Sequence, residues 1–172
     1  NILYLNMTFT INQLITKLGL QEHPEGGFFK ETYRSDQMVM LHGKSYPAGT
    51  CIYYLLRSYK TTRDFSAWHK LHGIDETWTY HAGSDLTILW IDANAQIVTK
   101  KLGAGAQAEF QVHVPKDTWY CAFVEDPSPD AFSLVGGADF PGFDYSFFEL
   151  AQRDKLTALY PQHGEIIAQF TR

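Results

Sequence analysis

The chain has 172 residues, 45% of them hydrophobic, and 14 Lys and Arg against 19 Asp and Glu, a net charge of −5 with His neutral. That is enough for one sizeable core in a single domain, and with no stretch that concentrates the bases it excludes an electrostatic footprint for nucleic acid. No apolar run approaches the roughly 20 residues of a membrane span, and the start Asn1-Ile2-Leu3-Tyr4-Leu5-Asn6 lacks the basic and long apolar regions of a secretory signal. Residues 1–6 precede Met7 and read as a leader, so the domain is expected to span 7–172. Two cysteines, Cys51 and Cys121, fall in different β-like runs. They do not form a disulfide scaffold and predict reduced thiols in a cytoplasmic protein.

Thr10 caps a short helix in which Ile11, Leu14, Ile15 and Leu18 make one apolar stripe, and Gly19 closes it. His23-Pro24-Glu25-Gly26-Gly27 then breaks the pattern, because Pro disfavours helix before it and two Gly permit a tight turn. Strand-like runs follow at Phe28–Arg34, Cys51–Leu56, Phe65–Leu71, Glu76–His81, Leu86–Ile91, Ile97–Leu102, Phe110–Val114, Trp119–Val124 and Phe132–Gly136. Turn signals such as Ala82-Gly83-Ser84-Asp85 and Asp126-Pro127-Ser128-Pro129 separate them. Phe147–Leu159 and Glu165–Phe170 are helix-prone. Many short strands, with 15% aromatic residues and 13 Gly, predict a sandwich or closed barrel rather than βαβ units.

The stretch Trp68–Gly83, WHKLHGIDETWTYHAG, places Glu76 seven residues after His69 and Gly83 seven further on. This skeleton resembles the first motif of the cupin barrels, G-x5-H-x-H-x3-4-E-x6-G. Val114–Tyr120 resembles the second, P-x-G-x-x-H. Leu71 stands where a metal-binding cupin has its second His, Tyr120 where it has its last, and Asp117 where it has the turn glycine. A narrower likeness rests on HPEGGFFKETYRS (His23–Ser35), IYYLL (Ile52–Leu56), HAGSDL (His81–Leu86), FQVHVPKDTW (Phe110–Trp119), FSLVGG (Phe132–Gly137) and FPGFDYSFFEL (Phe140–Leu150). On these blocks the chain resembles the "cupin group five" domain family from about residue 10 to 160. It departs at Asp117, where that family usually has Gly, and at Tyr120, where it more often has Gln. The resemblance implies an all-β cupin jelly-roll barrel with short flanking helices, commonly a homodimer, with a pocket at one mouth. It also implies structural similarity to nucleotide-sugar epimerases.

Side chains alternate faces along a strand. Combined with the resemblance, parity puts His69, Glu76, Trp78, Tyr80 and Tyr120 in the barrel mouth, with Glu31, Tyr33 and Gln111 as neighbours. Arg34 and Asp144 are further candidates for ligand contacts. Glu76 inside a barrel must be paired, and an ion pair with Arg34 or Arg57 would satisfy it. His23 reads as a turn residue holding HPEGG together.

With two of four expected ligands replaced, no metal or other cofactor is expected. A metal-dependent enzyme using His69 and Glu76 would need a third ligand, which His72 could supply only through a bulge at Gly73. One His, one Glu and neighbouring Tyr instead suit proton transfer on a sugar or nucleotide-sugar, as in an epimerase or isomerase. His69 would be the base, Tyr120 or Tyr33 the acid, and Glu76 or Asp144 the group orienting the imidazole. Lys30, Arg34 and Lys70 are the nearest candidate cations for a diphosphate. The competing reading is a non-catalytic module that binds a metabolite in the same barrel.

Overall fold

A computed structural model describes residues 9–41 and 43–172; the expected leader 1–6 lies outside the described residues. The elements run α1 (Ile11–Leu18), β1 (Gln21–Glu22), β2 (Phe28–Arg34), β3 (Met38–Leu41), β4 (Lys44–Pro47), β5 (Thr50–Arg57), α2 (Tyr59–Thr62), β6 (Ser66–Leu71) and β7 (Asp75–Gly83). Then come β8 (Leu86–Ile91), β9 (Ile97–Leu102), β10 (Gln111–Val114), β11 (Trp119–Val124), β12 (Phe132–Phe140), β13 (Phe148–Leu150), α3 (Arg153–Leu159) and α4 (Gly164–Gln169). One sheet has six strands in the order β1-β2-β5-β12-β7-β10, and the other five in the order β13-β6-β11-β8-β9. Every named pairing is antiparallel. The two sheets pack face to face as a jelly roll, the predicted fold class.

The helices explain why several strands are buried on both faces. α1, held by a Thr10–Gln13 capping box and closed by left-handed Gly19, lays Leu14 on Leu55 and Leu134 outside the six-stranded sheet. α3 and α4 bring Leu156, Ile167 and Phe170 against Trp68, Trp119, Cys121 and Phe123 outside the other. All six residues of β11 are therefore buried. A third cluster, including Tyr54, Trp78, Ile88, Val112 and Ala122, fills the space between the sheets. Cys121 is buried and Cys51 half-buried, and both are free. Among the described residues no helix is long and apolar enough to cross a membrane.

Two segments depart from expectation. Phe148–Leu150 is a strand rather than the start of a helix, because it pairs with the edge of β6, Phe148 opposite Leu71 and Leu150 opposite His69. Met38–Pro47 forms a hairpin that the sequence reading passed over.

Asp117 occupies the turn position with φ +60°, where a side chain is strained and Asn or Asp is tolerated best after Gly. Its Oδ1 accepts from the Gly73 backbone N–H at 3.0 Å, and its own N–H donates to the Leu71 carbonyl at 2.9 Å. The residue thus ties the β10–β11 turn to the β6–β7 turn. Asp117→Ala, which keeps the strain and loses the bond, is expected to cost about 1–2 kcal/mol in chemical denaturation. Asp117→Gly should lie within about 0.5 kcal/mol of wild type, since relief of strain offsets the lost bond.

Candidate active site

Between the sheets lies a cavity of about 410 Å³. The six-stranded sheet contributes Phe29, Glu31, Arg34, Ile52, Tyr54, Glu76, Trp78 and Asp139 to its lining; the five-stranded sheet contributes His69, Leu71, Tyr120 and Phe148. His23 and Glu25 enter from the turn before β2, and Phe143, Asp144 and Tyr145 from the segment after β12.

His69 is 3% exposed, and its ring tautomer follows from its contacts. Nδ1 lies 2.7 Å from the Ala67 carbonyl, which can only accept, so Nδ1 carries the hydrogen and Nε2 of the neutral ring is an acceptor. Burial drives its pKa down to about 4, against the Ala67 carbonyl and the Glu76 charge, which raise it. Nε2 sits 3.2 Å from Glu25 Oε2. Glu25, not Glu76 or Asp144, is therefore the carboxyl beside the imidazole.

Glu25 reaches this position because of the turn that carries it. Gly26 has φ +119°, and a Cβ there would fall 2.0 Å from the Phe65 carbonyl oxygen; only glycine fits. The Gly26 carbonyl accepts from Tyr54 Oη at 2.6 Å, and Glu25 Oε1 accepts from Ser66 at 2.8 Å. Burial raises the Glu25 carboxyl above its ordinary pKa. His23 does hold the turn, accepting the Glu25 N–H on Nδ1 at 3.3 Å, while its ring also lines the cavity.

Facing strands place two more carboxyls side by side. Asp139 on β12 is the direct cross-strand partner of Glu76 on β7. Tyr120 donates its hydroxyl to Glu76 Oε2 at 2.6 Å, bridging the two sheets, and its ring packs tilted at 55° against that of His69, its own cross-strand partner, with centroids 3.9 Å apart. Burial raises Glu76 above the usual carboxyl range against the Tyr120 hydrogen bond. Burial, then the charges of Glu76 and Glu25, raises Asp139 far more. Two like charges so placed cannot both ionise cheaply, so the pair holds a proton and Asp139 is its better keeper. Asp139 Oδ1 and Trp78 Nε1 are buried without a well-formed hydrogen bond among the described residues, although the indole lies close enough to Glu76 to favour its charged form.

The family follows from sequence and shape together. Residues 12–151 match the model of the "Cupin superfamily (DUF985)". The chain belongs to this cupin family. Among solved structures, a protein from Shewanella oneidensis is 34% identical, with a TM-score of 0.85 over 96% of this chain and 99% of that one. A hypothetical protein from Leishmania major is 32% identical, with a TM-score of 0.86 over 95% and 99%. A dTDP sugar isomerase from Desulfovibrio desulfuricans G20 shares the fold at 12% identity, with a TM-score of 0.53 over 77% and 88%. A search of curated proteins returned no match.

This cupin lacks the donor set of its metal-binding cousins. Leu71 offers no ligand, Tyr120 is committed to Glu76, and His72 is exposed and held by Glu149 at 2.7 Å. Among the described residues no three His, Cys, Asp or Glu side chains converge to hold a metal ion. The site does not fit one.

Several candidate residues stand elsewhere. An extra residue at Thr32 shifts the register between Glu31 and Tyr33, so Glu31 and Arg34 share the cavity mouth and Tyr33 turns outward, 54% exposed. Gln111 lies on the outer face opposite Thr79, to which it is hydrogen-bonded, while Val112 faces in. Tyr80 packs at the edge of the core and donates to the Gly83 carbonyl, away from the cavity. Arg34 pairs with Glu31 and Arg57 with Asp64, so neither answers Glu76. Sequence reasoning missed Glu25 and Asp139: the Pro24-Glu25-Gly26-Gly27 turn masked the first, and the second extends a strand expected to stop at Gly136.

The buried groups dictate a pH response. A raised Asp139 contributes stability that is full below the ordinary carboxyl value of 3.8 and lost as pH rises through the folded value. Asp139→Asn should therefore gain on wild type as pH rises, by about 1 kcal/mol or more at pH 8. A depressed His69 works the other way: its contribution is full above 6.5 and lost as pH falls toward about 4. His69→Gln should show a flatter stability profile in that window. Urea denaturation across pH checks both, and parallel profiles would contradict the assignment.

Proposed function

We propose that this cupin binds a small sugar-like carbonyl compound and moves a proton at the carbon beside the carbonyl, an epimerase or isomerase step carried by side chains alone. The observation that carries the reading is the acceptor Nε2 of His69 on one sheet, in the same cavity as a carboxyl pair on the other sheet to which Tyr120, the neighbour of His69, is hydrogen-bonded. His69 takes the carbon-bound proton, and Glu25, 3.2 Å away, balances the imidazolium that forms. The enolate takes back a proton from the Glu76–Asp139 pair on the facing sheet, where Glu76 accepts the Tyr120 hydroxyl. Solvent exchange then moves the proton from His69 back to the carboxyl pair. The sugar isomerase with the same fold supports this reading by analogy alone.

The test is deuterium incorporation from D2O into carbonyl sugars, followed by NMR. Incorporation is expected, with His69→Gln and Tyr120→Phe each slowing it by about 10²–10⁴-fold. Exchange indifferent to both substitutions contradicts the mechanism. Saturable binding without exchange would instead mean a metabolite-binding module, the reading favoured by a His69 pKa as low as about 4, which makes a weak base.

The working unit is, in the same proposal, a cytoplasmic homodimer. Supporting self-association, the β3–β4 hairpin exposes Met38, Val39 and Met40 beside one another, an apolar edge that a partner would cover. Light scattering should return twice the chain mass, and Met40→Lys should shift it to the monomer; a wild-type monomer overturns the assignment.

A further inference from the structure

We propose that the cavity selects a ligand carrying an ammonium group among hydroxyls, of the amino-sugar class, and rejects phosphorylated or nucleotide-linked sugars. The proposal rests on the reading of this cavity as a sugar site and sharpens it through charge. Glu25, Glu31, Glu76, Asp139 and Asp144 line the cavity. Among the described residues Arg34 is the one permanent cation there, and it is already spent. Its Nε and Nη2 grip both oxygens of Glu31, at 2.9 and 2.6 Å, and Nη1 donates to the Phe143 carbonyl at 3.1 Å.

The other cations that the sequence offered for a diphosphate lie elsewhere. Lys70 projects over the Trp119 ring at 4.8 Å, on the face covered by α3 and α4. Lys30 lies beside Gly19 at the end of α1. Arg172 and Lys44 stand near Glu25 and Asp144 but do not line the cavity, so a phosphate entering it would meet carboxyl groups and no unpaired lining cation.

An ammonium meets the opposite field. Asp139 is 7% exposed, with Oδ1 left without a partner among the described residues, and its neighbour Glu76 keeps one oxygen clear of the Tyr120 bond. A cation between them would let both carboxyls ionise, which neither a neutral nor an anionic ligand can do. Trp78, Tyr120, Phe143 and Phe148 supply aromatic faces, which attract an ammonium further. The Trp78 indole N–H, close to Glu76 but without a well-formed hydrogen bond, is placed to donate to a ligand hydroxyl as well.

Three probes on one ring separate the possibilities: glucosamine, glucose and glucose 6-phosphate, titrated calorimetrically into chelator-treated protein at pH 7.5. Glucosamine is expected to bind at least tenfold more tightly than glucose, with glucose 6-phosphate weakest. Repeating the glucosamine titration in two buffers of different ionisation enthalpy should show proton release. Asp139→Asn should bring the ratio of glucosamine to glucose affinity below about twofold, whatever its effect on the two affinities themselves. Equal affinities, a preference for the phosphate, a need for added divalent metal, or no binding by any probe overturns the proposal. Its failure is separable from that of the catalytic reading. Ammonium preference without deuterium exchange removes the chemistry and keeps the ligand class; exchange on neutral sugars without that preference does the reverse.

Discussion

Two carboxyl side chains, Glu76 and Asp139, face each other across adjacent strands in a wall almost closed to water, and the rest of the site is arranged around that constraint. An apolar pair would pack there at no electrostatic cost. A carboxyl pair is tolerable only if a proton is shared and the remaining oxygens are answered. Tyr120 answers one, reaching from the opposite sheet. Gly137 leaves room for Glu76, since a Cβ there would lie 3.2 Å from its Oε1. Asp139 Oδ1 goes unanswered within the described protein. Those unpaired polar groups at the floor of the cavity are what the proposed ligand would answer.

The fold makes such a floor rigid. β6 and β11 are buried on their outer faces by α3 and α4, and β5 and β12 by α1, so the strands that carry His69, Tyr120 and Asp139 are clamped from behind. The polar inner face is then the part of each strand free to serve chemistry. Glu25 enters by another route. It comes from a turn that Gly26 alone can make, anchored by Tyr54 and Ser66, and it sets a carboxyl next to His69 in a barrel whose own strands provide none there.

The strands were legible because their alternation and turn residues are strong local signals; β2, β8, β9 and β11 stand at the expected bounds. Parity placed His69, Glu76, Trp78 and Tyr120 at one cavity, since no bulge intervenes between Glu76 and Trp78 or before Tyr120 on its strand. The same rule misplaced Tyr33, because the extra residue at Thr32 reverses every face beyond it. Gln111 failed for want of a register. Only the pairing of Val112 with Trp78 shows which face of β10 turns inward. Helix propensity at Phe148–Leu150 lost to edge pairing with β6, a tertiary contact that local sequence does not encode. Glu25 and Asp139 escaped for a related reason. A turn and a strand end carry no periodicity, and their meeting with His69 and Glu76 depends on chain closure over long separations.

The measurement that bears most directly on this arrangement is the ¹⁵N NMR spectrum of the His69 ring, titrated from pH 8 to pH 4 and assigned with His69→Gln. The structure predicts a neutral ring at pH 7, protonated at Nδ1 and bare at Nε2, that gains its second proton only toward pH 4. A ring already charged at pH 7, or a hydrogen on Nε2 in the neutral form, would remove the acceptor nitrogen and contradict the account of the site.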